Sequence, residues 1–371
     1  MELKIGTLAI ERFRALRDLK IEGLGRVNLI TGRNNTGKSS VLEALRILAS
    51  GASPNVISSI LHYREEDTEE SEDPARGMEG EAFSMISGLF SGFPSLDKLG
   101  GPIAISANGS GGSQRLAMSV GRFAEQQDPD GTRRLVPEQA GLFPETELLP
   151  ALVVELKGGR RVLPLGNLRR PSRRQSIIDA MMNLASPCVF LSPYGSEHTG
   201  TFGALWDKIA LSDREKDVVE ALRIMAPDIV ALSMIGDPRG TRIAIARCQS
   251  ISRPVPLRSL GDGVNRLFGI VVSMGNAAGG LLLIDEIENG MHHSVQLDVW
   301  RAIFRLSRRL DVQVFATSHS WDSVESFQKA ASEDPEEGVL IRLSRMGDSL
   351  VPTVFHEDEL AIVTRDHIEV R

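Results

Sequence analysis

The sequence predicts an α/β nucleotide-binding protein of the P-loop kind, and three stretches carry that expectation. Gly32-Arg33-Asn34-Asn35-Thr36-Gly37-Lys38-Ser39 fits the phosphate-loop pattern G-x-x-x-x-G-K-[ST]. Leu281-Leu282-Leu283-Ile284-Asp285-Glu286 reads as a short buried strand ending in two carboxylates. Val312 to Ala316 is another apolar strand, followed by Thr317-Ser318-His319-Ser320.

The phosphate loop has the right flanks. Val27 to Thr31 before it reads as a strand, and Ser40 to Leu48 after it carries apolar residues at helical spacing. Glycines let successive backbone N–H groups close around phosphates, and the helix N-terminus adds a favourable dipole. Lys38 supplies a point charge, and the Ser39 hydroxyl is placed for Mg²⁺. Gly32, Asn34, Asn35, Thr36, Gly37, Lys38, Ser39 and Ser40 are therefore the candidate nucleotide-binding residues of the loop.

The remaining elements follow in order. Residues 1–50 predict two or three strands, the loop and its helix. Residues from about 250 to 371 supply the other half of the same nucleotide domain. Residues 51–249 differ in texture and predict an inserted lobe. They include the acidic run Glu65 to Asp73 and the Gly/Ser stretch Asn108 to Ser113, both expected as mobile loops. Leu152 to Leu156 and Arg161 to Leu165 flank Gly158-Gly159 as a hairpin. Arg169 to Arg174 is the densest basic cluster, suited equally to phosphates, to solvent or to the acidic run. Ser212 and Glu215 form a capping box that opens a helix to about Met225, and Asp237-Pro238-Arg239-Gly240 supplies a turn between two strands. Leu267 to Ile284 lacks charge, but Gly275 to Gly280 divides it into a buried helix and the strand that carries Asp285.

Composition narrows the function classes. With 371 residues and 42% hydrophobic content the chain can bury a sizeable core. A net charge of −7 rules out a generally basic nucleic-acid coat, while leaving room for local basic patches. Cys188 and Cys248 are too far apart in sequence to suggest a zinc site or redox pair, which fits a reducing compartment. The N-terminal residues do not have signal-peptide character, so a cytoplasmic, non-membrane protein is expected. His292-His293 diverge on a helix, with no third ligand nearby to make a metal site.

The chemistry follows from the strand ends. Asp285 suits a hard cation between triphosphate oxygens, and Glu286 suits the positioning of an attacking water. Two adjacent acids with separate tasks imply hydrolysis, and His319 at the next strand tip would sit beside the γ-phosphate.

This order of motifs resembles the ABC-type ATPase heads of the SMC, RecF and OLD group, in detail the stand-alone OLD-like AAA-family ATPases without a Toprim domain. The resemblance implies an ABC-ATPase P-loop NTPase fold, with a mixed sheet flanked by helices and an inserted α+β lobe. It makes Gly32 to Ser39 the Walker A motif, Asp285 and Glu286 the Walker B pair, Ile287-Glu288-Asn289-Gly290 the D-loop and His319 the switch histidine. Ser259-Leu260-Gly261-Asp262-Gly263 becomes the signature motif, with Asp262 where transporters favour a second adjacent glycine. Ile10 to Arg14 resembles the first strand of RecF-like heads, which implies that Arg14 lies near the nucleotide. Gln114, Gln126, Gln127, Gln139 and Gln175 all stand open as the Q-loop glutamine.

What the resemblance implies beyond chemistry is a homodimer closing around ATP and Mg²⁺, with Ser259, Gly261 and Gly263 facing the nucleotide of the second copy. The work is then done on DNA or through a separately encoded effector or nuclease, in phage defence or genome maintenance. The alternative is a regulatory ATPase that recruits a protein effector and does not bind nucleic acid. About fifty residues follow His319, so a Toprim domain is not expected within them. The wide gap from Lys38 to Ser259 argues against a transporter subunit, and no Asn-Lys-x-Asp base reader marks a GTPase.

Overall fold

The computed structural model describes residues 3–66, 83–127, 133–137, 148–169, 187–193, 199–236, 242–333 and 337–365. Residues 67–73 of the acidic run, the basic cluster from Arg170 on, the Asp237–Gly240 turn, Gln139 and Gln175 lie outside them.

The chain begins with β1 (Thr7–Phe13), β2 (Leu16–Glu22), β3 (Val27–Thr31), α1 (Lys38–Ala49) and α2 (Pro54–Tyr63). Strands β4 (Ile103–Gly109), β5 (Gly112–Gln127), β6 (Arg133–Pro137), β7 (Leu148–Leu156), β8 (Gly159–Pro164) and β9 (Cys188–Leu191) follow. Next come α3 (Thr199–Asp207), α4 (Asp213–Leu222), β10 (Ile229–Gly236), β11 (Arg242–Cys248) and β12 (Val255–Pro256). The last stretch holds α5 (Asp262–Asn276), β13 (Leu281–Ile284), α6 (His293–Arg309), β14 (Gln313–Thr317), α7 (Trp321–Ala331), β15 (Gly338–Met346), β16 (Ser349–Phe355) and α8 (Glu357–Arg365).

The central sheet has the order β16-β15-β3-β14-β13-β9 and is parallel except for β16. Its inner strands are buried on both sides, which is why they are short and nearly continuously apolar. Side chains alternate between two cores, as the period of two requires. Leu282, Ile284, Val314 and Ala316 pack with α5, α6 and α7, where Trp300, Phe304 and Phe327 supply the bulk. Leu281, Leu283 and Phe315 face the other way. There they meet Val41, Leu42 and Leu45 of α1, which lies between the central sheet and a second, antiparallel sheet of order β2-β1-β4-β5-β7-β8. Helix α1 is thus held on both sides, and its N-terminal turn is fixed at the edge of the sandwich.

Strand β4 pairs with β1, and β9 pairs with β13, so described residues of the 51–249 stretch contribute strands to both sheets. The strands of the antiparallel sheet cannot bury their apolar face alone and close over α1 instead. Asn108 to Ser113, expected as a mobile loop, is a tight hairpin between β4 and β5, and the Ser110 N–H donates to Leu3 O at 2.8 Å. The β7–β8 hairpin and the pairing of β10 with β11 match expectation. So does the Ser212 cap, whose hydroxyl accepts from Arg214 N–H at 3.3 Å while Glu215 accepts from Leu211 N–H at 2.5 Å. No helix among the described residues is long and apolar enough to cross a membrane.

Strand β13 is locked against β9 at its entry. Leu281 N–H donates to Pro187 O at 2.7 Å, and a Cβ on Gly280 would stand 1.9 Å from that same oxygen. Gly280→Ala must push β9 away from β13, and overpacking of this kind costs about 1–3 kcal/mol. A melting temperature several degrees below wild type is expected in thermal denaturation, and an unchanged one would contradict this packing.

Candidate active site at the phosphate loop

Strand β3 ends at Thr31 and the chain then turns tightly into α1. Gly32 has φ of 143°, and a Cβ there would stand 2.5 Å from Leu343 O of β15, so only glycine lets the loop pass so close to that strand. Asn35 is also left-handed, with φ of 62°, and Thr36 braces the turn by donating to Arg33 O at 2.8 Å. Arg33, Asn34 and Asn35 are exposed, Gly37, Lys38 and Ser39 are half-buried, and Ser40 is buried in the first turn of α1. Lys38 Nζ reaches back over the loop to Gly32 O at 2.7 Å and Arg33 O at 3.1 Å. Burial pulls its pKa below the ordinary lysine value, and Asp285, Glu286 and Glu288 pull the other way.

The acids come from the neighbouring strands by register. Ile284 is paired with Ala316, so the next residues, Asp285 and Thr317, stand side by side at the carboxyl ends of β13 and β14. Thr317 is fully buried and donates its hydroxyl to Asp285 Oδ1 at 2.5 Å. The same hydroxyl oxygen accepts from Glu286 N–H at 2.8 Å. Ser39 donates to Asp285 Oδ1 at 3.1 Å, which ties the phosphate loop to the acid pair. Glu286 is held with φ of 47°, an uncommon conformation for a residue other than glycine. That turn carries its carboxylate out of the strand direction, where Asn289 donates to Oε2 at 2.8 Å.

His319 lies two residues beyond Thr317, with its ring half exposed. Its backbone N–H donates to Glu288 Oε1 at 3.0 Å, and its Nδ1 lies 3.2 Å from the same oxygen. Loop, acid pair and histidine are therefore joined through a few hydrogen bonds.

Known proteins resemble this chain in sequence and in fold. A family model for an AAA ATPase domain matches residues 3–82, and an AAA domain model named for the AbiEii toxin of type IV toxin–antitoxin systems matches residues 245–324. Among curated proteins, an ATP/GTP phosphatase of Helicobacter pylori is 21% identical over 380 residues, covering 96% of each chain. The uncharacterized protein MJECL10 of Methanocaldococcus jannaschii is 52% identical over 46 residues, so the match spans 12% of this chain and 21% of that protein. Among solved structures, an SMC head bound to the C-winged helix domain of ScpA has a TM-score of 0.52 at 12% identity, over 96% of this chain and 99% of that one.

The chain has the ABC-type ATPase head fold of SMC proteins, and stretches near both of its ends match AAA domain models. Strands β3, β14 and β13, which lead to the phosphate loop, to His319 and to Asp285, lie side by side. The signature stretch stands apart from them. Ser259 lies in a short 3₁₀ turn (Leu257–Leu260), Gly261 precedes α5, and both are exposed. Gly263 packs against Met225 and the carbonyl of Gly290 in the D-loop. Arg258 Nε donates to Asp262 Oδ1 at 3.1 Å, pairing the carboxylate that departs from the glycine pattern.

Arg14, which the resemblance implies lies near the nucleotide, is held by two carboxylates. Its guanidinium is buried and held by Glu66, with Nη1 to Oε1 at 2.7 Å, and by Glu43 of α1, with Nε to Oε2 at 2.5 Å. The arginine therefore anchors the helix behind the loop rather than offering a free cation to phosphate. The strand beside β13, β9, ends at Leu191 and is followed by Ser192-Pro193, and Gln114, Gln126 and Gln127 all lie on β5 of the other sheet.

Sequence reasoning missed two groups at this site. Arg266 is buried on α5 and donates to the carbonyls of Asp285 at 2.9 Å, Glu286 at 3.0 Å and Ser192 at 2.6 Å. Burial pulls its pKa down to about 10, against the opposing field of Glu288, Asp285 and Glu286. Its signal was an arginine on the apolar face of α5, among Val264, Leu267, Phe268 and Ile270. Thr317 gave no such signal, because threonine is an ordinary strand residue.

The bridge through Thr317 sets the positions of both acids. Thr317→Val keeps shape and removes the hydroxyl, so ATP turnover is expected to fall about 10–100-fold, as when outer-shell partners are lost. Turnover within twofold of wild type in a steady-state assay would contradict that role.

Proposed function

We propose that this chain is a Mg²⁺-dependent ATPase of the stand-alone OLD-like kind, whose two copies close around ATP to act on DNA or on a separately encoded effector. The observation that carries this reading is the separation of its half-sites. One chain supplies the loop, acids and histidine, while Ser259, Gly261 and the N-terminus of the 15-residue α5 face outward. A helix N-terminus favours anions, and pairing with Arg258 screens the Asp262 carboxylate that would repel one. A second copy's γ-phosphate suits that surface.

The donor set fits a magnesium ion. Ser39 Oγ and Asp285 Oδ1 are hard oxygens 3.1 Å apart at the mouth of the loop, and they would hold it. Bound there, the ion would neutralise charge on the phosphate oxygens. Lys38 adds a second positive charge on the same phosphates. Glu286, held by Asn289, takes the proton of the attacking water as its oxygen bonds to the γ-phosphorus, His319 donates a hydrogen bond to the γ-phosphoryl oxygens, and the bridging oxygen leaves with ADP. Hydrolysis then removes the contact that favours closure, the differential affinity that a switch requires.

The effector reading draws support from the match of residues 245–324 to a model named for a toxin–antitoxin component. A net charge of −7 favours it too, since DNA contact would then depend on local patches. Ser259→Arg tests the trans arrangement. The variant is expected to bind Mg-ATP with wild-type affinity in calorimetry, yet to lose at least about 10-fold in turnover together with any rise of specific activity at higher protein concentration. Wild-type turnover would remove Ser259 from the site. Stimulation by duplex DNA favours the DNA reading, and indifference to it favours the effector switch.

A further inference from the structure

We infer that Glu288 is a positioning residue for His319, an inference that rests on the hydrolytic reading above and assigns the D-loop a task inside its own chain. The side chain of Glu288 is 8% exposed, and that of His319 is 51% exposed. One oxygen of the buried carboxylate takes both contacts from the histidine, the backbone N–H at 3.0 Å and ring Nδ1 at 3.2 Å. Its other oxygen is buried with no hydrogen-bond partner among the described residues. A buried carboxylate with one oxygen unsatisfied is an arrangement that stability alone does not favour.

The consequence for the ring is chemical. An ionised carboxylate only accepts, so the ring nitrogen facing it must carry a proton. Nδ1 is then the N–H, and Nε2, on the exposed side, is the nitrogen left to meet substrate. With Nδ1 held by the carboxylate, Nε2 is the nitrogen through which the ring can meet a phosphate oxygen. The backbone contact fixes where the ring starts, and the Nδ1 contact fixes which way it turns. Glu288 follows the left-handed turn at Glu286 by two residues, so the turn that aims the base also sets the carboxylate behind the histidine.

Two readouts test this, one of which needs no turnover. In the first, ¹⁵N-histidine spectra of nucleotide-free protein in alkaline buffer are recorded, with His319→Gln identifying the resonance. The wild-type ring is expected as the Nδ1–H tautomer and Glu288→Ala as the Nε2–H form, with Glu288→Gln, which can still accept, restoring the first. An Nε2–H ring in wild type, or no change on Glu288→Ala, overturns the inference. In the second, ATP turnover is measured for the single and double variants. Glu288→Ala is expected to lower kcat about 10-fold with KM within about twofold, Glu288→Gln to recover part of it, and Glu288→Ala to cost nothing more in the His319→Gln background. Losses that multiply in the double variant would show that Glu288 does not act through His319. A wild-type protein without ATPase activity would defeat the hydrolytic reading, while the tautomer would still decide whether Glu288 orients the ring.

Discussion

The hydroxyl of Thr317 is the point on which the site depends. It donates to Asp285 and accepts from the backbone of Glu286, so one oxygen positions both acids. That geometry exists only because β13 and β14 run parallel in the register that pairs Ile284 with Ala316. A shift of one residue would turn the Thr317 hydroxyl to the other face of the sheet and bring Ala316 or Ser318 beside Asp285 in its place. The two cores make such a shift costly, since each strand alternates its apolar residues between them.

The same sandwich explains how the phosphate loop reaches the acids. Helix α1 is clamped between the central and antiparallel sheets, which leaves its first turn open and aimed along the strand ends. Arg14 and Glu43 secure it from behind, and Ser39 links it forward to Asp285. On the opposite face, Arg266 binds the carbonyls of Asp285, Glu286 and Ser192, and so joins the signature helix to the acid turn and to β9. Movement of α5 against a second copy would be felt at Glu286 through this one buried cation.

Much of this could be read beforehand because the phosphate loop, the acid pair and His319 each lie at the end of a short apolar run, where composition and function change abruptly. What could not be read was the partnership of distant segments. The pairing of β4 with β1 and of β9 with β13 depends on which faces can be covered, and local pattern does not contain that. Thr317 and Glu288 look ordinary in sequence and acquire their roles from register and from the left-handed turn at Glu286. Arg14 gains from the fold two carboxylate partners, Glu43 and Glu66, that its sequence neighbourhood does not indicate.

The claim that matters most is that Glu286 completes a hydrolytic site which closes across two copies. The most direct measurement is the mass in solution of the Glu286→Gln protein, with Mg-ATP and without nucleotide, alongside its rate of ATP turnover. The account predicts a doubling of mass on ATP addition together with turnover at least about 100-fold below wild type, as expected when a catalytic base is lost. An unchanged mass with wild-type turnover would contradict it.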